Sequence, residues 1–262
     1  MDLKEILGLS VLGAAITTVG SLIATLLKDF IFARALEKWK ARQQLRQIDL
    51  KFCDPLLLAA TELVNRICEI TFESPVNFLE PRLLQIQPTR MTANSAHDEY
   101  FQRYKFISTL YRLCAWLGWV ELYRQDVAFL DSGRQKTKAD FEHHVNAMRS
   151  SLADGHLNNA EDWLDWTDSL IFREEQRAIG EFMLDLNRRA VLGYGSFHEK
   201  FIVAGSCPTN QWIGVATNFL SELKSVPGAA ARDCRRARCL LAVKHGVSLI
   251  ECLNEDRASL DS

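Results

Sequence analysis

The amino-acid sequence predicts an all-α protein: an N-terminal transmembrane helix continuing into a stalk helix, followed by a cytoplasmic helical bundle. Three observations carry that prediction. Ile6 to Leu27 is a run of 22 residues without a single charge. Apolar residues in the rest of the chain recur mostly at helical spacing. The stretch Phe106 to Tyr123 is apolar nearly all round, as suits a helix central to a bundle. The expected division is an anchor over 1–27, a juxtamembrane basic helix over 28–50 and a helical domain over 51–262.

The first element is the anchor. At about 1.5 Å per residue, a helix of this length spans about 33 Å, enough for a hydrocarbon core roughly 30 Å thick. A cleavable signal would have a basic leading segment and a shorter apolar core. Here Met-Asp-Leu-Lys-Glu sets acids against one Lys, and the apolar run is too long. Orientation follows from Lys and Arg near the ends. Lys4 stands alone before the run, whereas Lys28, Arg34, Lys38, Lys40, Arg42 and Arg46 follow it. The body is therefore expected in the cytoplasm, with a short N-terminus outside. Gly13, Thr17, Ser21 and Thr25 recur every four residues, with Gly20 and Ala24 beside them. Such a stripe lets two helices approach closely, so a homo-oligomer is expected; a stripe that meets only lipid is the plainer alternative.

The next element, Lys28 to Asp49, reads as a continuation of the anchor. Phe32, Leu36, Trp39 and Leu45 give it a partly apolar side. Its six basic residues stand against Asp29, Glu37 and Asp49, a net of +3. Contact with the bilayer surface through Arg34, Lys38, Lys40, Arg42 and Arg46 is one reading; a solvated linker helix is the other.

The bundle follows. Asp54-Pro55 is expected to cap and open a helix running to about Thr71. Glu73 to Ala96, with Pro75, Pro81 and Pro88, reads as a loop or irregular excursion. A long helix is expected over about Asp98–Leu130. Further helices are expected at about Thr137–Ala153, Ala160–Leu170, Phe172–Val191, Asn210–Lys224 and Ala229–Asn254. Phe197 to Ala204 is ambiguous, since a short strand there would need a partner.

No catalytic or cofactor signature emerges. There is no GxxxxGK[ST], and Gly193-Tyr-Gly195-Ser196 lacks a third glycine and a preceding strand, so it reads as a helix break. His143 and His144 are adjacent and point about 100° apart on a helix. Glu161, Asp162, Asp165 and Asp168 share a helix face with Trp163 and Trp166 nearby, which reads as an acidic solvent side. No metal and no cofactor are expected. The seven Cys, an odd number, form no CxxC pair. Cys68, Cys114 and Cys252 read as small core side chains. Cys207 falls in an expected loop. Arg232, Arg235, Arg236 and Arg238 form a basic patch without aromatic platforms on a chain of net charge −2, which argues against nucleic acid. A solvated or membrane-facing patch is expected instead.

Two helices carry the polar residues of most interest. Arg112, Glu121 and Arg124 project from the long helix. Arg173, Arg177 and Glu181 follow at i, i+4 and i+8 on another, so that Arg177 and Glu181 are spaced to pair. Glu121 lies in an apolar helix and needs a partner if buried. A polar network joining it to an Arg of the 172–181 helix is expected, serving either fold specification or a ligand site.

Ser108-Thr-Leu-Tyr, Gly118-Trp-Val-Glu121-Leu-Tyr-Arg124 and Arg173-Glu-Glu-Gln-Arg-Ala-Ile-Gly180-Glu resemble segments of a group of uncharacterised bacterial proteins with an N-terminal membrane anchor. The resemblance implies a bacterial source and a cytoplasmic helical domain. It implies no activity and no catalytic residue. Three functional readings remain: an interaction module acting as scaffold, sensor or effector through an unidentified protein partner; a pore-forming defence effector; and an enzyme with an active site near Glu121, Arg124 and Arg177.

Overall fold

The computed structural model describes residues 51–73, 78–86, 98–128, 136–153, 170–185, 187, 189–201, 210–223 and 233–261, together with 28, 30–37, 39, 40, 43 and 47. Among the described residues the fold is mostly helical, with one two-stranded hairpin. The chain divides into two units, Met1–Asp49 and Leu50–Ser262. In the first unit every described position is helical. Phe30, Ile31, Phe32, Leu36 and Trp39 are all exposed there, and the Arg34 guanidinium lies 4.3 Å above the Phe30 ring. The run Ile6–Leu27, with Gly13, Thr17, Gly20, Ser21 and Ala24, lies outside the described residues. So do Lys38, Arg42 and Arg46. Among the described residues, no helix is long and apolar enough to cross a membrane.

In the second unit, helix α1 covers 51–68. Phe52, Leu56, Ala60, Leu63, Val64 and Ile67 are buried on it, a stripe at helical spacing. Residues 51–54 are already helical, so Asp54-Pro55 does not open this element. The cause is packing ahead of the proline. Phe52 sits edge-on to Trp119 and Tyr123, with centroids 6.4 and 5.7 Å away, which holds the turn before Pro55 in the core. A π-helical turn, Glu69–Glu73, ends the element, and the Thr71 hydroxyl donates to the Ile67 carbonyl at 2.8 Å.

The excursion expected after Glu73 contains a short helix, α2 (Arg82–Gln85). Phe78, Leu79, Leu83 and Leu84 are buried, so the described part of this segment belongs to the core. Helix α3 (Glu99–Ala128) is the central element, as its sequence predicts. Phe106, Leu110, Leu113, Cys114, Trp116 and Leu117 are fully buried or nearly so. Helix α3 packs against α2 and, later in the chain, against α5 (Arg173–Phe182), α6 (Tyr194–Phe201) and α7 (Gln211–Leu220), while α4 (Lys136–Ala153) packs chiefly against α8 (Cys234–Asp261). The Tyr123 and Phe141 rings, 4.8 Å apart, join α3 to α4.

Helix α5 (Arg173–Phe182) is shorter than the expected Phe172–Val191. The chain instead turns into a hairpin, β1 (Leu184–Asp185) antiparallel to β2 (Ala190–Val191). Two local effects end the helix. The Asp185 carboxylate accepts from the Asn187 backbone N–H at 3.1 Å, and Arg189 adopts a φ of 49°. Residues 194–201, expected to include a helix break and an ambiguous strand, form helix α6 (Tyr194–Phe201). Phe197 is buried on it and packs 5.5 Å from Tyr111, so burial of an aromatic decides for helix. Helix α7 (Gln211–Leu220) is capped by the Asn210 side chain, which accepts from Trp212 and Ile213 N–H. It ends earlier than expected, where Glu222 takes a φ of 58° and donates its N–H to the Leu79 carbonyl at 2.8 Å. Helix α8 runs past the expected Asn254. The expected helix over Ala160–Leu170 falls almost wholly outside the described residues.

The basic patch expected on α8 does not face solvent or membrane as a unit. Arg238 is fully buried and donates to the Ser151 carbonyl of α4 at 3.3 Å. Arg235 pairs with Asp233 at 2.7 Å and donates to the carbonyls of Asn218, Phe219 and Ser221 at the end of α7. The helix end needs donors for its carbonyls, and arginine supplies them.

Candidate functional site

The polar residues of α3, α4 and α5 meet where the three helices approach. Gly180 of α5 makes that approach possible. A Cβ there would stand 2.7 Å from the Glu121 Cβ and 2.7 Å from the Leu117 carbonyl oxygen. Gly118 of α3 does the same for the hairpin: its Cβ would stand 2.8 Å from the Met183 Cβ and 3.1 Å from Val191.

Glu121 is 2% exposed. Its carboxylate accepts from Arg124 Nε at 2.8 Å, Arg124 Nη2 at 2.5 Å and Gln125 Nε2 at 2.9 Å. Its hydrogen-bond partners therefore come from its own helix, one turn on, whereas Arg177 of α5 acts on it only through its charge. Burial pushes the Glu121 carboxyl upward. The bonds from Arg124 and Gln125, with the charges of Arg124 and Arg177, outweigh that and hold it below its ordinary value. The same contact raises Arg124 above the ordinary arginine value.

The other half of the junction stitches α4 to the start of α5. Gln176 is 1% exposed. Its Nε2 donates to the carbonyls of Arg149 and Ile171 at 3.0 and 2.9 Å, and its Oε1 accepts from Arg149 Nε at 3.1 Å. Arg149 Nη2 donates to the Arg173 carbonyl at 3.3 Å, and Arg173 donates to the Ser150 hydroxyl. The Ile171 N–H reaches the Leu152 carbonyl at 2.9 Å. The Phe172 N–H at the start of α5 is satisfied by Glu175 Oε2 at 2.8 Å. Burial lowers the Arg149 pKa first, then Arg173; Glu121 opposes this, and Arg177 and Arg124 add to the lowering.

Of the residues singled out in the sequence, the structure brings Glu121, Arg124, Arg173 and Arg177 to this junction. Glu181 lies close enough to Arg124 to act on it electrostatically. Among the described residues, Arg177 and Glu181 form no ion pair despite their spacing. Arg112 lies elsewhere, with its Nε 3.7 Å from Glu62 of α1. Arg149, Gln176 and Gln125 complete the site and were not singled out. Arg149 and Gln176 each carried a positional signal. Arg149 follows Val145 and Met148 and precedes Leu152, and Gln176 precedes Ile179 and Met183, so both fall on or beside an apolar stripe.

Among the described residues, no group of three His, Cys, Asp or Glu side chains is placed to hold a metal ion. The acidic set Glu161, Asp162, Asp165 and Asp168 lies outside those residues, as does Cys207. Among the six described cysteines, Cys53, Cys114 and Cys239 are buried, and Cys68, Cys234 and Cys252 are half-buried. A cavity of about 10 Å³ between α1, α3, α4, α7 and α8 is lined by apolar side chains such as Leu63, Met148 and Phe219. Its apolar lining offers an ordered water no hydrogen-bond partners. Comparison with known proteins gives no match: no family model, no curated protein and no solved structure is similar to this chain.

Proposed function

We propose that this protein is a single-pass, membrane-anchored interaction module. In this reading its helical body lies on the cytoplasmic face of the inner membrane, it self-associates, and it acts as a scaffold, sensor or effector without catalysis. The observation that carries the reading is the uncharged run Ile6–Leu27, with its small-residue stripe at Gly13, Thr17, Ser21 and Thr25. The exposed side chains of Phe30, Ile31, Phe32, Leu36 and Trp39 support it, because so many large apolar groups in one short helical stretch suit lipid or a second copy better than water. Glu121 also counts against the enzyme reading. A carboxylate committed to Arg124 and Gln125, and held below its ordinary pKa, is a poor proton acceptor near neutral pH. The partners in this reading are the bilayer, further copies of the chain and a protein still to be identified, not nucleic acid.

Alkaline carbonate extraction of membranes tests the anchor. The full chain should stay in the pellet, and a variant lacking residues 6–27 should be released. Release of the full chain would overturn the reading. Protease added to intact spheroplasts should leave the 51–262 body uncut, and its digestion would reverse the proposed orientation.

A further inference from the structure

We propose that the outer face of the first two turns of α3, formed by Glu99, Tyr100, Arg103 and Tyr104, pairs with the same face of a second copy of this chain. The proposal deepens the self-association inferred above and rests on that reading, but it uses a surface of the body rather than the anchor. The four positions are spaced i, i+1, i+4 and i+5, so they share one side of the helix. Glu99, Tyr100 and Tyr104 are exposed and Arg103 is half-buried, whereas Gln102 and Phe106 are buried. Tyr104 is held in place from beneath. Its ring lies 6.2 Å from Tyr194 of α6, and the Tyr194 ring lies 6.1 Å from His198. Exposed tyrosine beside arginine is the composition that interface centres favour.

The observation that carries the proposal is how charge is matched on this face. Arg82 Nε holds Glu80 at 2.7 Å and its Nη1 holds Glu99 at 2.8 Å, so one guanidinium serves two carboxylates. Among the described residues, no carboxylate lies within ion-pair distance of Arg103, and its Nε is buried without a hydrogen-bond partner. One turn of α3 thus separates a surplus carboxylate from a cation that has none. Two α3 helices lying antiparallel, with a two-fold axis between Tyr100 and Arg103, remove both imbalances. Glu99 of each copy then meets Arg103 of the other, and Tyr100 and Tyr104 fill the space between them. An interface between identical copies across a two-fold needs a patch that is its own complement, and this charge pattern is one.

Lipid suits the face less well. Helices α1 and α3 run antiparallel, with Phe52 against Trp119 and Glu69 paired to Lys105. The face therefore lies at the opposite end of the body from residue 51. A lipid headgroup anion would also answer Arg103 alone and leave Glu99 without a second cation.

The test places the photo-crosslinking residue p-benzoylphenylalanine at position 100 of the full chain, in native membranes that hold copies with two different epitope tags. A product carrying both tags is expected. Arg103→Glu and Glu99→Arg should each lower its yield by about tenfold or more, because each sets like charges together at both ends of a symmetric contact. The double variant Glu99→Arg, Arg103→Glu should restore the yield, since the pairs are then reversed; a fold damaged by either change would not recover. The proposal is overturned if no product carries both tags, if position 100 crosslinks only to a different protein, if both single variants keep the full yield, or if the double variant does not recover it. The readout concerns position 100 and two charges of the body. It can fail while the anchor associates, and anchor association can fail while it succeeds.

Discussion

Gly180 stands against Glu121 with no space for a side chain between them: a Cβ at position 180 would lie 2.7 Å from the Glu121 Cβ. The opposing atom belongs to the root of a buried side chain on a central helix, not to a flexible tip. Gly180→Ala should therefore force α5 away from α3 and cost about 1–3 kcal/mol, the usual range for overpacking. Gly214 of α7 is a control of opposite sign, since nothing lies within 4 Å of its would-be Cβ. Gly214→Ala should raise stability by roughly 0.5–1 kcal/mol through helix propensity alone. Urea midpoints of the full chain in detergent distinguish the two.

The Glu121 ion pair sets an acid limit on stability. Its folded pKa lies below the ordinary value of 4.5, so the carboxylate contribution is fully present above that pH. It is lost as pH falls through the lower, folded value. Glu121→Gln should remove this part of the acid transition and cost about 1.5–3 kcal/mol at neutral pH, the range for hydrogen bonds to a charged group. Thermal melts of both proteins across the acid range check the prediction: the gap between them should be constant near neutrality and close as pH falls.

Arg238 links α8 to α4 from a fully buried position. Arg238→Ala removes both its stem and its bond to the Ser151 carbonyl, and should destabilise by about 3–5 kcal/mol. Arg238→Met keeps most of the stem volume and should cost clearly less. Equal losses would mean that the charge, not the packing, matters at this position.

Cysteine reactivity should follow burial. Burial pushes the Cys239 thiol up to about 12, and Cys114 higher still. Both should resist iodoacetamide in the folded protein, while half-buried Cys234 is modified sooner than either. Peptide mass spectrometry after brief labelling reads the order directly.

The fold was legible where periodicity was long. Helix α3 announced itself through an extended apolar stretch, and α4 through regular spacing of Phe141, Val145, Met148 and Leu152. The hairpin after α5 was not legible, because its turn carries no glycine or proline. It depends on the Asp185 carboxylate and on Arg189 entering the left-handed region. The Pro55 signal misled for a tertiary reason, since Phe52 gains more from packing on Trp119 and Tyr123 than the chain gains by starting a helix at Asp54. At the polar junction, Glu121 and Arg124 stood out in the sequence, but the partner expected for Glu121 was an Arg of the 172–181 helix rather than its own i+3 neighbour. Arg149 and Gln176 lay on or beside apolar stripes, but what they bond to was not legible, because bonds between helices leave no spacing along the chain.

Self-association through the anchor is the central claim, and crosslinking in native membranes tests it most directly. The wild type should yield a crosslinked oligomer. The Gly13→Leu, Ser21→Leu double variant should lose most of it while remaining in the carbonate-washed membrane, because leucine fills the small-residue stripe and preserves the apolar length. A strictly monomeric wild type, or undiminished crosslinking in the double variant, would contradict the account.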